Sequence, residues 1–255
     1  TFTRFDRMTE AYPDKPAVMY LGETFSYRKL RELSERFAGA LLDLGVKKGD
    51  RVMIYIPNCI QWIIGFLGIQ KIGAVMVPIS PIYTSYEIEY MVKDSGAETI
   101  VCQDTNFCYV KEIFQKTGLK RAIVTNLADL LPTWKKGLGV LFDRIPGGKV
   151  DKDNRVCSFK SLLKHPPFRE KVDLDPWKDL SYILYTGGTT GFPKGVPGNH
   201  IGMTSYVNDV TKDVAGGYLK EGEDVYLAVN PLFHIMALGL FMAVGLNKGN
   251  LTLLM

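Results

Sequence analysis

The sequence is thin in the residues from which metal sites and disulfide frameworks are made. It holds three histidines and four cysteines. Cys59, Cys102, Cys108 and Cys157 form no C-x-x-C pair and have no histidine at metal-ligand spacing. A zinc site or disulfide scaffold is therefore disfavoured, and buried, reduced thiols in a reducing compartment are the expectation. No run reaches the roughly 18 apolar residues that a membrane span needs; the longest candidate, Ile235 to Leu246, stops at Asn247-Lys248. No secretory signal is visible, so the expected location is cytoplasmic. A dominant charge is missing too. Lys+Arg 31 against Asp+Glu 27 leaves +4, which suits polyanionic small substrates but is too weak and scattered for a nucleic-acid partner.

What is present is globular. Hydrophobic residues make up 46% and charged residues 23% of the 255, which excludes a disordered or collagen-like chain. That length allows one large domain or two small ones. The chain starts at Thr1 and ends in the strand-like run LTLLM. Natural termini are usually exposed and polar, so a fragment of a longer protein is expected.

Strand and helix signals alternate without an internal repeat. Val18 to Leu21 and Thr24 to Tyr27 read as a hairpin around Gly22-Glu23. Tyr27 to Leu44 carries Leu30, Leu33, Phe37, Leu41 and Leu44 at helical spacing, with Ser26 placed to cap the start and Gly45 to close the end. Arg51 to Ile56 is a buried-strand pattern, and Asn58 to Ile72 is a helix apolar nearly all round, hence sandwiched. Ala74 to Ile79 is the next strand. Thr84-Ser85-Tyr86-Glu87 announces a helix by the capping-box pattern, and Gly96 ends it. Glu98 to Cys102, Phe107 to Lys116 and Ala122 to Thr125 continue as strand, helix, strand. Gaps this long supply the crossovers that parallel strands require. The fold class is α/β, with largely parallel sheets flanked by helices.

The rhythm breaks between residues 127 and 177, where Pro132, Pro146, Pro166, Pro167 and Pro176 mark a long connection with short helices. Within it, Leu127 to Ile145 sets Leu130, Leu131, Trp134, Leu138, Leu141 and Ile145 on roughly one face, beside Lys135, Lys136 and Arg144. Such a stretch suits core packing more often than weak peripheral contact with a membrane. Strand signals resume at Ser181 to Tyr185, with a helix from His200 to Val214, a strand at Asp224 to Val229, a helix at Ile235 to Leu246 and a strand at Leu251 to Leu254. Two parts are expected: residues 1–180, containing the connection, and residues 181–255.

The chemistry concentrates in YTGGTTGFPKGV, Tyr185 to Val196, directly after a predicted strand. Gly187, Gly188, Gly191 and Gly195 let a ligand approach the backbone closely. Thr186, Thr189 and Thr190 add hydroxyl donors, and Lys194 adds a compact positive charge. Donors and one cation on a loop free of bulk make a polyphosphate cradle. It is not a Walker A loop, which needs G-K-[ST]; Lys194 lies between Pro193 and Gly195.

This loop resembles the phosphate-binding signature of the adenylate-forming superfamily, which includes acyl-CoA synthetases, luciferases and peptide-synthetase adenylation domains. TFSYRKL (Thr24 to Leu30), KKGDRVMIYIPN (Lys47 to Asn58), KIGAVMVPISP (Lys71 to Pro81) and NPLFHIMAL (Asn230 to Leu238) support the resemblance in the expected order. Many members carry serine at the position of Gly187. The double-glycine form and the segment LADLLPTWKKGLGVLFDRI resemble long-chain fatty acyl-CoA synthetases. The chain departs from the pattern after Val196, where Pro197-Gly198-Asn199-His200 replaces a strand leading to a Thr-His or Ser-His pair; Asn199 remains a good helix cap.

The resemblance implies the N-terminal part of the large domain of such an enzyme, with residues 181–255 beginning its ATP-binding subdomain. It implies ATP and CoA as co-substrates, a fatty acid as substrate and Mg²⁺ as metal. A carboxylate attacks the α-phosphate to give acyl-adenylate and pyrophosphate, and the CoA thiol then displaces AMP. Thr186 would contact phosphate and Mg²⁺. Thr189 and Thr190 would bind the β and γ groups, with Gly187, Gly188 and Gly191 also in the nucleotide-binding loop. Lys194 would be a mobile counter-charge, and His234 would lie near the substrate carboxylate or acyl channel. His200 is expected to order a helix start and His165 to lie at the surface. The adenine loop, ribose-binding Asp, Mg²⁺-binding Glu and catalytic Lys of the family would follow Met255, in a missing C-terminal portion of the same chain, and these 255 residues alone would be inactive. Two other readings stay open: the same fold activating an aryl or amino acid, and a non-catalytic nucleotide- or acyl-binding module.

Overall fold

A computed structural model describes residues 2–142, 145–187, 192–214 and 218–254. Helix α1 (Phe2–Ala11) leads into a hairpin of β1 (Pro16–Tyr20) and β2 (Glu23–Ser26). Ser26 caps α2 (Tyr27–Asp43), its side chain accepting from the Lys29 amide, and Gly45 follows at φ +83°. The α/β repeat then runs β3 (Arg51–Tyr55), α3 (Ile60–Lys71), β4 (Val75–Pro78), α4 (Ser85–Ser95), β5 (Thr99–Gln103), α5 (Phe107–Ile113) and β6 (Arg121–Thr125). The connection contributes α6 (Thr133–Leu141), β7 (Val156–Ser158) and α7 (Phe159–Leu162). After it come β8 (Leu180–Thr186), β9 (Lys194–Asn199), α8 (His200–Asp209) with a π-turn to Val214, β10 (Val225–Ala228), α9 (Ile235–Leu240) and β11 (Leu251–Leu254).

These strands build a seven-stranded sheet, β7-β6-β5-β3-β4-β8-β9, and a four-stranded sheet, β10-β11-β1-β2. Every pairing is parallel except β8–β9 and β1–β2, which are antiparallel. The α/β class with largely parallel sheets is therefore the observed one. Each sheet draws strands from both sides of residue 180.

Alternation along β3 shows where the core lies. Val52 and Ile54 join a cluster with α2, α3 and strands of the smaller sheet, whereas Met53 and Tyr55 join a second cluster with α4 and α5. The helices α2 and α3 thus lie between the sheets, and α3 is buried from Ile60 through Gln70. The all-round apolar pattern of that helix follows from having sheet on one side and helix on the other. Gly68 permits this packing, because a Cβ there would lie 2.8 Å from the Phe37 ring and 3.0 Å from the Ser34 carbonyl. Capping of α4 also follows the sequence pattern: Glu87 accepts from the Thr84 amide at 2.9 Å and from its hydroxyl.

Several expectations need correction. Among the described residues of the amphipathic stretch from Leu127 to Ile145, the helix is confined to Thr133–Leu141. Leu127 and Leu130 pack on the core, while Trp134, Leu138 and Leu141 are exposed. Not all thiols are buried: Cys59 and Cys102 are, but Cys108 is exposed and Cys157 half-buried. His165 is half-buried, its Nε2 3.4 Å from Asp43. No helix among the described residues is long and apolar enough to cross a membrane.

Candidate functional site

The glycine-threonine loop leaves the carboxyl end of β8, which runs parallel to β4. Ligand loops of open α/β sheets sit at such ends. β8 is fixed from below by a reciprocal buried pair: Gln70 Nε2 donates to the Ser181 carbonyl and Ser181 Oγ donates to Gln70 Oε1, both at 2.8 Å. At its start, Lys48 from the KKGDRV segment pairs with Asp179 at 2.7 Å and holds that carboxyl below the usual range.

The two ends of the loop face each other across the β8–β9 ladder, where Thr186 stands opposite Lys194. Both side chains are exposed, and Thr186 Oγ lies 3.5 Å from the Lys194 carbonyl oxygen. A Cβ added at Gly187 would meet nothing within 4 Å, so the backbone is open on that side. Gly188, Thr189, Thr190 and Gly191, expected in the nucleotide-binding loop, lie outside the described residues.

The unusual sequence after Val196 does not break the strand. Pro197 sits opposite Ile183 in β9, the outermost strand of the sheet, where a residue without an amide hydrogen is tolerated. At Gly198 a Cβ would fall 2.1 Å from the Tyr182 ring, so the tyrosine occupies the space a side chain would need. Asn199 caps α8 as expected, accepting from the Gly202 amide at 2.9 Å. His200 is its first residue, buried, with Nε2 lacking a partner; burial lowers its pKa.

Helix α4 supplies contacts that reading for motifs missed. Tyr185 donates to Asp94 Oδ2 at 2.7 Å, and burial together with this acceptor pushes its phenol pKa up. On the other side of the loop, Phe192 stacks on Tyr90, ring centroids 4.6 Å apart at 23°, and lies 5.8 Å from Tyr86. Tyr86, Tyr90 and Asp94 recur every four residues and so share one face of α4. That spacing was visible in the sequence; its partners were not.

His234 belongs to a different element. It precedes α9, exposed, with its ring 4.5 Å from Phe233. A cavity of 820 Å³ opens elsewhere, at the ends of β5 to β7, lined by Asp104, Asn126, Asp129, Lys136 and Cys157 among others. None of the expected site residues lines it. Some of its charged groups are engaged: Lys136 pairs with Asp129 at 3.0 Å, and Asn126 Nδ2 donates to Asp104 at 2.9 Å.

Among the described residues no three His, Cys, Asp or Glu side chains converge as metal ligands. A metal at Thr186 would be held through one hydroxyl, substrate phosphates and water, an arrangement that suits Mg²⁺.

The family described as AMP-binding enzyme matches residues 5–255. A long-chain-fatty-acid–CoA ligase of Escherichia coli O157:H7 is 35% identical over 98% of the chain and 45% of its own length. A 4-coumarate–CoA ligase of Arabidopsis thaliana is 32% identical over 95% of the chain and 39% of its own length. The chain thus spans less than half the length of these relatives. The crystal structure of a long-chain-fatty-acid–CoA ligase from Archaeoglobus fulgidus superposes with TM-score 0.80 at 26% identity, covering 100% of the chain and 46% of that protein. An anthranilate–CoA ligase with bound anthranoyl-AMP gives TM-score 0.84 at 21% identity, over 100% of the chain and 44% of that protein; at that identity the likeness concerns the fold.

Proposed function

We propose, because this chain belongs to the AMP-binding enzyme family, that it is part of an ATP-dependent fatty acid–CoA ligase. The observation that carries the reading is the loop at the end of β8, which sets an exposed hydroxyl (Thr186) and an exposed ammonium (Lys194) opposite each other beside open backbone. Phosphoryl-transfer sites work chiefly by positioning and by stabilising charge. This arrangement offers both to the β and γ phosphates of ATP.

A carboxylate resists nucleophiles because the departing group would be oxide. Attack of its oxygen on the α-phosphorus makes a mixed anhydride and releases pyrophosphate, whose developing charge Lys194 and the threonine hydroxyls stabilise. The CoA thiol then attacks the acyl carbon, and AMP leaves as a stable anion. Thr186 would help to hold a Mg²⁺ ion brought with ATP, and the ion would supply neutralisation of phosphate charge. His234 would serve the acid rather than the nucleotide, since it stands before α9 and not on the loop. The remainder of the protein supplies the adenine, ribose and CoA contacts, and residues 1–255 alone do not complete adenylation.

The location proposed is cytoplasmic. Weak contact with a lipid surface would be made through α6 and the next residue, where Trp134, Leu138, Leu141 and Phe142 are exposed beside Lys135. The fatty-acid preference rests on relatives such as the Escherichia coli ligase. A second reading, an aryl acid as substrate, is favoured by the 4-coumarate–CoA ligase similarity. Carboxylate-dependent ATP–pyrophosphate exchange by the full-length protein, run across acyl lengths and aryl acids, tests both. Exchange driven by long-chain acids supports the first, exchange driven only by aryl acids supports the second, and exchange with neither overturns the ligase assignment.

A further inference from the structure

Both ends of the glycine-threonine loop are tied to one helix. Tyr185, before the loop, donates to Asp94 Oδ2 at 2.7 Å, and its hydroxyl oxygen lies 3.2 Å from the Met91 carbonyl oxygen. Phe192, after it, lies on the Tyr90 ring with centroids 4.6 Å apart. Asp94 also closes over β9, since a Cβ at Gly195 would come within 3.2 Å of its Oδ2. Tyr90 is itself packed against the second core cluster, on the side of the sheet that holds α5. The half-buried ring that receives Phe192 is therefore held against the core, although half of Phe192 is open to solvent (50%). An exposed phenylalanine gains little from burial at such a site; its stacked geometry fixes the direction in which the chain leaves the loop.

We propose that Tyr90 is a positioning residue for nucleotide phosphates, acting through the Phe192 ring to fix the course of the chain into Lys194, which the ladder sets opposite Thr186. This rests on the reading of the loop as a phosphate cradle. Donors held in place beforehand lose less freedom when a polyphosphate binds, and a Phe192–Lys194 segment released from Tyr90 must be reordered by the ligand at a cost in affinity. Tyr86 is 66% exposed and lies tilted at 5.8 Å, so it contributes less than Tyr90.

The test is carried out on the full-length protein with Tyr90→Ala, Tyr90→Phe, Phe192→Ala and the Tyr90→Ala/Phe192→Ala pair. Equilibrium binding of MgATP and exchange kinetics are measured together. Each alanine variant is expected to weaken MgATP binding and raise KM for ATP about three- to tenfold, with KM for the acid changed less than about twofold. Tyr90→Phe keeps the ring and is expected to restore wild-type values. The double variant is expected to be no worse than either single one, because both remove the same contact. Unchanged MgATP binding in both alanine variants overturns the proposal, as does a parallel loss for ATP and acid that tracks a fall in Tm. If the wild type binds MgATP but exchanges with no acid, the ligase reading fails, and the stack is judged on the binding measurements alone. Absence of MgATP binding by the wild type refutes the cradle and the positioning role together.

Discussion

Single residues decide how firmly the loop is held. Gln70 and Ser181 satisfy each other in a fully enclosed setting, and this pair joins α3 to the strand that launches the loop. Replacing Gln70 by Leu leaves a buried hydroxyl and a buried carbonyl without partners, and is expected to cost about 1–3 kcal/mol in denaturant unfolding. A cost below about 0.5 kcal/mol would show that water or a shift of β8 replaces the bonds. The thiols divide by environment: burial pushes Cys59 up to about 12 and raises Cys102 as well. A thiol reagent at neutral pH is expected to modify Cys108 first and to leave Cys59 and Cys102 unmodified until the chain unfolds. Rapid modification of four thiols in the folded protein would contradict this core. His200 gives the fold a pH dependence. Burial holds its pKa below the ordinary value, so below about pH 6.5 the unfolded chain binds a proton that the folded chain resists. Stability is full above that pH and is expected to fall as the pH drops below it, with a shallower slope in His200→Gln. Equal slopes in the two proteins would assign the dependence to other groups. Sequence reading placed His200 at a helix start because Asn199 is a recognisable cap. It gave no sign of the unpartnered Nε2, which depends on what packs over the ring.

At the scale of elements, periodicity carried most of the reading. The caps at Ser26 and Thr84, the stop at Gly96 and the all-round apolar α3 were legible because each is set by residues within a few positions of one another. Strands β7 and β9 were not. One is only three residues long, and the other contains Pro197 and Gly198, both poor strand formers; each exists because a neighbouring strand offers it a ladder. Tertiary pairing overrode local preference there. The same dependence on distant partners concealed the α4 face: Tyr86, Tyr90 and Asp94 were spaced for one surface, but Phe192 lies about a hundred positions away along the chain. The contact of α2 with α3 permits a direct check. Gly68→Ala brings a methyl group against the Phe37 ring, and is expected to cost about 1–3 kcal/mol by overpacking. A neutral result would mean that the helices separate without penalty.

For the whole molecule, the two sheets share the helices α2 and α3, and each sheet uses strands from both halves of the chain. Loop and core are thereby coupled: the strand that carries Thr186 is neighbour to β4 and is bonded to α3. The fold class was readable from the alternation of patterns. The pairing of β1 with β11 was not, because the order of strands in a sheet is not written in local periodicity. The exposed apolar residues of α6 belong to this scale as well. Vesicle co-sedimentation of the full-length protein is expected to fall when Trp134 and Leu141 are both changed to Ser, and an unchanged bound fraction would remove α6 from any lipid contact. The central claim concerns phosphate recognition, and the most direct measurement compares the Kd of MgATP and of AMP for the wild type and for Lys194→Ala. AMP lacks the β and γ groups, so a counter-charge at those groups affects ATP alone. Loss of one charge-assisted contact is expected to weaken MgATP about 10- to 100-fold while AMP changes less than about twofold. Equal weakening of both nucleotides, or of neither, would contradict the assignment of the loop after β8 as the phosphate cradle.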